Sequence, residues 1–419
     1  MKRWFERRPA LSWALYDWGN SAFATTVMAG FFPAFFRQYW SSGAESSLTT
    51  FRLGVANALA GLLIALAAPL LGAIADRGGR RKQFLAAWSL LGIGATFGLY
   101  FIAQGQWALA ATLFVLATLG FNGGIVFYDA LLLDVAQPRD YDRVSALGYG
   151  LGYLGGGLLF ALNVLMVLQP ARFGLADAAA AVRFSFLTVA VWWLLFMLPL
   201  LLGVREQRPA RLLRGFAAVA EGCRELVATA RQIRMLGPLL QFLVAYWLYI
   251  DGVNTVIKMA VDYGLALGLA SSDLLGALLL TQFVAFPAAI AFGRWGERWG
   301  ARECVLVGLA VYAGLTVWAF FLDSAREFYA MAVVVGLVQG GVQSLSRSFF
   351  GRLVPEGKSG EFYGFYNMVG KFGTVLGPLL MGGAALFLDS TRASILSLLL
   401  LFVAGGVLLW RVKLPGTRD

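Results

Sequence analysis

The sequence predicts an all-α polytopic membrane protein whose twelve transmembrane helices form two pseudo-symmetric six-helix bundles. Three observations carry that expectation: an apolar composition, apolar runs of spanning length along the whole chain, and motifs that return at a fixed offset. Of 419 residues 59% are hydrophobic and 14% charged, and mean hydropathy is +0.72. Water-soluble domains are only about half apolar and a quarter charged. The apolar runs are about 20 residues long, enough to cross a hydrocarbon core about 30 Å thick.

The expected spans cover residues 11–36, 52–75, 83–104, 107–133, 144–168, 183–204, 237–261, 273–293, 303–323, 326–348, 361–386 and 392–411. The one long connection, 205–236, divides an N-terminal bundle (1–204) from a C-terminal bundle (237–419). Within it Leu212, Phe216, Val219, Cys223, Leu226, Ala230 and Ile233 recur every three or four residues, with Arg214, Arg224, Arg231 and Arg234 mostly off that stripe. This pattern predicts a basic amphipathic helix on the membrane surface, with a soluble hairpin as the alternative.

The net charge of +11 points to topology rather than to nucleic acid. Of 34 Lys and Arg, 26 fall in segments assigned to the cytoplasm, including residues 347–360, and six outside. The positive-inside bias puts both termini in the cytoplasm, as expected in a bacterial-type inner or plasma membrane. Cys223 and Cys304 then lie on the reducing side, so neither a disulfide nor a thiol metal site is expected. With no histidine in the chain, imidazole chemistry is excluded. The basic N-terminus leads into a long run carrying Asp17 and is read as an uncleaved first helix.

The duplication is written in two motifs. Gly72-Ala73-Ile74-Ala75-Asp76-Arg77-Gly78-Gly79-Arg80-Arg81 follows span two, and Gly293-Arg294-Trp295-Gly296-Glu297-Arg298-Trp299-Gly300-Ala301-Arg302 follows span eight, at a constant offset of 221. Leu15-Tyr16-Asp17-Trp18-Gly19-Asn20-Ser21 in span one is echoed by Leu248-Tyr249-Ile250-Asp251-Gly252-Val253-Asn254-Thr255 in span seven, and Pro138 by Pro355. Equal membrane orientation of the copies makes them parallel repeats about an axis along the membrane normal.

The signature loop after span two resembles that of the major facilitator superfamily, over essentially the whole chain. More narrowly, Trp13 to Thr26, Phe127-Tyr128-Asp129-Ala130-Leu131-Leu132, Arg143 to Gly155 and Phe362-Tyr363-Gly364-Phe365-Tyr366 are similar to the vacuolar effluxer-like branch. That resemblance implies the major facilitator fold, no cofactor, and secondary transport. Autophagy-linked fungal members of the branch export amino acids.

Ionisable groups inside spans cost about 2.5–3.5 kcal/mol by insertion scales, and so mark partners or water-filled pathways. Asp251, Asn254 and Lys258 form one helical stripe, and Asp17 with Asn20 another. The superfamily pattern implies that these stripes face each other across a central pathway. Lys258 is near a helix end and could instead reach the headgroups; Asp17 could pair with Arg8. Lys371, ten residues into span eleven, needs a carboxylate or an anionic substrate group. Asn122, Gln339 and Gln343 are further lining candidates. Gly373 to Pro378 suggests a bend near Lys371, and Gly148, Gly152 and Gly156 a close-packing seam on span five.

The loop residues suit a cytoplasmic gate. Asp76 is expected at the positive end of helix eleven, and an arginine of Arg77, Arg80 and Arg81 on Asp134. Gly72 belongs to this set, and Glu297, Arg298, Arg302 and Arg352 form its counterpart; both loops could equally impose tight turns.

No phosphate-binding glycine loop with Lys and Ser or Thr is present, so coupling is expected from an ion gradient. Without histidine it falls to carboxylates, Asp251 first and Asp17 second. The expected protein is a monomeric secondary transporter exporting a small solute, a zwitterionic amino acid above all, by alternating access with protons, in contact with lipids and not nucleic acid. A multidrug/proton antiporter and a lipid flippase or scramblase are the alternatives. An intramembrane aspartyl protease lacks the Gly-x-Gly-Asp turn it would need around Asp251.

Overall fold

In the computed structural model the described residues are 8–206, 237–266, 268–373, 376–388 and 394–412. The segment expected to form the linker helix, with Cys223, and both terminal segments lie outside them. Regular helices are α1 (Pro9–Ala22), α2 (Ser46–Gly78), α3 (Arg81–Gly98), α4 (Trp107–Ala130), α5 (Tyr141–Leu168), α6 (Ala178–Gly203), α7 (Gly237–Ala266), α8 (Ser271–Trp299), α9 (Ala301–Phe320), α10 (Ala325–Gly351), α11 (Ser359–Phe372), α12 (Leu376–Leu388) and α13 (Leu398–Trp410).

Nine described helices are long and apolar enough to cross a membrane, and the remaining three spans depart from a plain helix. Span one continues from α1 as π-helix over Phe23–Phe31 and Phe36–Trp40 around a short α-turn. The wider turns are packed by aromatic rings, with Phe23 against Phe121 at 5.4 Å and Phe31 against Phe160 at 5.6 Å. In span eleven α11 ends at Phe372 with Gly373 as its cap, and α12 is described from Leu376, with Pro378 near its start, where proline needs no N–H partner. Span twelve is described over α13 and the turns before it.

Each half has its own apolar core. One gathers Trp13, Phe23, Phe127, Phe186, Trp193 and their neighbours; the other gathers Phe242, Tyr249, Tyr312, Phe349, Phe362 and theirs. Leucines such as Leu62, Leu66, Leu194 and Leu195 point outward, as lipid requires. The glycine seam on span five fits around α1: a Cβ at Gly152 would meet Ser21 Oγ at 2.6 Å, and one at Gly156 the backbone of Ser21 at 3.0 Å.

Both repeated loops turn at a glycine with positive φ, in different conformations, ψ being 41° at Gly79 and 138° at Gly300. Gly79 ends α2 at φ 56°, and Gly300 precedes α9 at φ 96°, conformations that side chains resist. Substituting alanine at either is expected to cost about 1–2 kcal/mol, measured as a lowered Tm in detergent.

Candidate functional site

The first glycine of each repeated loop sets a close crossing between halves. A Cβ on Gly72 would lie 2.1 Å from the Gly360 carbonyl oxygen of α11, and one on Gly293 2.5 Å from Ala146 Cβ of α5. These crossings put the loops against the partner bundle at what we call the signature-loop end.

At the α2–α11 crossing the Asp76 carboxylate accepts the backbone N–H of Gly360 (3.0 Å) and of Glu361 (2.9 Å), unsatisfied donors in the first turn of α11. Arg81 bridges within the N-terminal half, donating through Nε to Asp76 (2.7 Å) and through Nη1 to Asp134 (2.8 Å). All three side chains are at most 7% exposed. Arg80 is exposed, and the Arg77 side chain lies outside the described set.

The second loop is not a copy. Glu297 and Arg298 are exposed and make no ion pair among the described residues, while Arg302 pairs with its neighbour Glu303 and donates to the carbonyls of Trp410 and Val412 in its own half. Of the expected counterpart set only Arg352 crosses between halves. It grips Asp142 of α5 through both Nη atoms at 2.7 and 2.8 Å, and the Ser348 hydroxyl shares that carboxylate. The correction has a physical reason: Asp142 lies at the start of α5, next to Gly296, and supplies the carboxylate that Glu297 was expected to bring.

About a turn deeper stands a network that the sequence reading did not include. Arg347, assigned by its charge to a cytoplasmic segment, is instead 1% exposed inside α10. Its Nη1 donates to Asp129 of α4 (3.0 Å), its Nε to the Ser145 hydroxyl (2.9 Å) and its Nη2 to the Ser145 carbonyl (2.9 Å). The guanidinium carbon lies 4.3 Å from the ring centre of Tyr149, 4.9 Å from Trp13 and 5.3 Å from Tyr128. Asn367 of α11 donates to the other Asp129 oxygen at 2.9 Å, and the Ser145 hydroxyl donates to the Ser344 carbonyl at 2.7 Å. Three helices of one half and two of the other therefore meet on one ion pair.

Asp17 joins this network from α1. It is 7% exposed, turned toward Tyr128 rather than Arg8, and accepts from the hydroxyls of Ser21 (3.1 Å) and Tyr128 (3.3 Å). It makes no ion pair among the described residues. Outward along α4, Asn122 shares the face of Asp129 by helical spacing, and both its amide oxygen and the Asn20 amide are buried without a hydrogen-bond partner among the described residues. Gln343 accepts from Tyr153 of the opposite half at 2.7 Å, with Gln339 one turn away. Lys371 stands one turn beyond Asn367 on α11 and is half-buried.

Asp251 and Asn254 go elsewhere, which corrects the expectation of two facing stripes. The fully buried Asp251 carboxylate accepts the N–H groups of Leu376 (2.8 Å) and Gly377 (3.0 Å), capping α12, and Asn254 donates to the Gly373 carbonyl (3.3 Å) at the end of α11. Span seven thus holds both the end of α11 and the start of α12. The Lys258 side chain lies outside the described set.

Two helical bundles packed side by side, with buried ionic contacts between them at one end, have the architecture of the major facilitator class. Solved structures share the fold: the human organic anion transporter MFSD10 (TM-score 0.73, 17% identity, 96% of this chain and 99% of that one) and the proton:xylose symporter XylE (TM-score 0.73, 12% identity, 97% and 94%). The chain belongs to the family described as Vacuole effluxer Atg22 like, whose model matches residues 6–418. It is similar to the uncharacterised MFS-type transporter YxiO of Bacillus subtilis, at 37% identity over 95% of this chain and 93% of that one. Autophagy-related protein 22 of Yarrowia lipolytica is 27% identical over 60% of this chain, a match spanning 46% of the fungal protein.

Proposed function

We propose that this integral membrane transporter exports small zwitterionic solutes, amino acids above all, by alternating access coupled to protons. The observation that carries this reading is the buried network around Arg347 and Asp129, which joins the halves and holds more carboxylate than it neutralises by contact. Rocking the halves apart at the signature-loop end must break it, together with the Asp76 and Arg352 contacts, so these serve as the gate. The excess of Lys and Arg at that end supports a cytoplasmic location for it, in the plasma membrane of a bacterium. The expelled solute then enters where the gate opens. Its ammonium suits the carboxylates and its carboxylate suits Lys371, the pairing that the effluxer resemblance also favours.

Coupling falls to Asp17, a buried carboxylate served by hydroxyls alone, rather than to Asp251, whose oxygens are held by the α12 backbone. Proteoliposomes loaded with labelled neutral amino acids under an imposed pH gradient test this. Gradient-driven transport is expected from the wild type and from Asp251→Asn. Asp17→Asn is expected to keep exchange while losing gradient dependence, and Lys371→Ala to lose at least tenfold in rate. If no amino acid moves or competes, the substrate reading is wrong; if Asp17→Asn stays gradient-dependent, the coupling assignment is wrong.

A further inference from the structure

We propose that the rings of Trp13, Tyr128 and Tyr149, with Asp129 and Asp17, form the subsite for the substrate's ammonium group, and that Arg347 is the internal competitor occupying it in the closed state. The proposal rests on the transporter reading above. Every wall of the cage belongs to the N-terminal half, whereas its occupant belongs to the C-terminal half, on α10. Separating the halves at the signature-loop end therefore withdraws the guanidinium and leaves the Tyr149 ring, the stacked Trp13–Tyr128 pair and two carboxylates.

A vacated cage of that kind cannot stay empty at low cost. Ring faces attract cations, most strongly where water is excluded, and a buried carboxylate without a counter-charge is strongly unfavourable. The room that Arg347 fills is set by a glycine of α5. A Cβ on Gly148 would lie 2.6 Å from the Tyr128 hydroxyl, 2.9 Å from the Trp13 ring and 3.1 Å from Arg347 Nη2, so the absent side chain is what leaves room for the guanidinium. Asn367, on Asp129, and Lys371, one turn further along α11, complete a site with the polarity of an amino acid. Cation at the cage and carboxylate at Lys371 would span the two halves.

The consequence is mutual exclusion. A primary or quaternary ammonium seated from the signature-loop side keeps Arg347 out and holds that end open, and release of the solute lets Arg347 return and seal it. Ligands lacking the cation cannot compete.

Equilibrium binding to the purified full chain in nanodiscs tests this, using alanine and leucine, their methyl esters, their N-acetyl derivatives and tetramethylammonium as probes. Arg347→Gln, which removes the competitor, is expected to bind the amino acids, the esters and tetramethylammonium about tenfold tighter than wild type. N-acetyl derivatives are expected not to bind. In the same background Tyr149→Leu should weaken the cations about tenfold, the effect of one desolvated ring face, whereas Tyr149→Phe should keep the affinity. If Arg347→Gln does not fold, inhibition of uptake by tetramethylammonium in wild type, Tyr149→Leu and Tyr149→Phe reads the same ring dependence.

Equal binding of N-acetyl derivatives, unchanged affinity in Arg347→Gln, or insensitivity to Tyr149→Leu overturns the cage while leaving amino-acid transport standing. Tighter binding of esters and tetramethylammonium with no binding or transport of amino acids supports the cage and removes the amino-acid reading instead.

Discussion

Asp129→Asn is expected to abolish transport, lowering the rate at least about a hundredfold, and to destabilise the protein by about 3–5 kcal/mol, the usual cost of removing one partner from a buried ion pair. The guanidinium of Arg347 would keep its hydrogen bonds to Ser145 but lose the carboxylate that neutralises it, in surroundings without water to take over. Replacing both partners, Asp129→Asn with Arg347→Gln, removes the uncompensated charge, so stability should return to within about 1–2 kcal/mol of wild type while transport stays lost. That split between stability, read as Tm in detergent, and rate separates a working ion pair from a merely structural one. Recovery of transport in the double variant would show that the pair only holds the halves together.

Gly72→Val is expected to have the second large effect, for a steric reason. Its first side-chain carbon would fall 2.1 Å from the Gly360 oxygen and 2.5 Å from the Gly360 carbonyl carbon, both backbone atoms at the start of α11, so no rotamer relieves the clash. The α2–α11 crossing must open, taking the Gly360 and Glu361 amides away from Asp76. Transport should fall to background with the protein still folded, because each bundle keeps its own core, and the signature-loop end should be accessible to aqueous thiol reagents through a reporter cysteine there. Asp76→Asn should act in the same direction more mildly, since asparagine can still accept one of the two amides.

The spans and the duplication were legible because apolar length and motif recurrence are properties of the chain itself. Asp76 and Asp134 could be read as partners of the loop and of α11 because the signature loop spells out a carboxylate and arginines at a helix end. Asp251 was misread because a carboxylate inside a span signals a partner without saying which: here it is the backbone at the start of α12, outside the α7 pattern. Arg347 was hidden by its position, four residues from the end of α10, where an arginine ordinarily belongs to the loop.

One signal could have found it. Asp129 and Arg347 are 218 residues apart, close to the 217 that separates Pro138 from Pro355, so they occupy equivalent places in the two repeats. Equivalent positions approach each other only near the pseudo-symmetry axis, and opposite charges placed there are set to pair.

The account stands on that pair and its neighbours opening during the transport cycle. Spin labels at Gln83→Cys and Glu356→Cys, both exposed at the signature-loop end of opposite halves, with Cys223 and Cys304 replaced by serine, measure the separation by pulsed electron paramagnetic resonance in transport-active proteoliposomes. The account predicts two populations: a short distance that dominates without solute, and a longer one that grows with transported solute and becomes the main species in Gly72→Val. A single short distance under every condition, with transport intact, would contradict it.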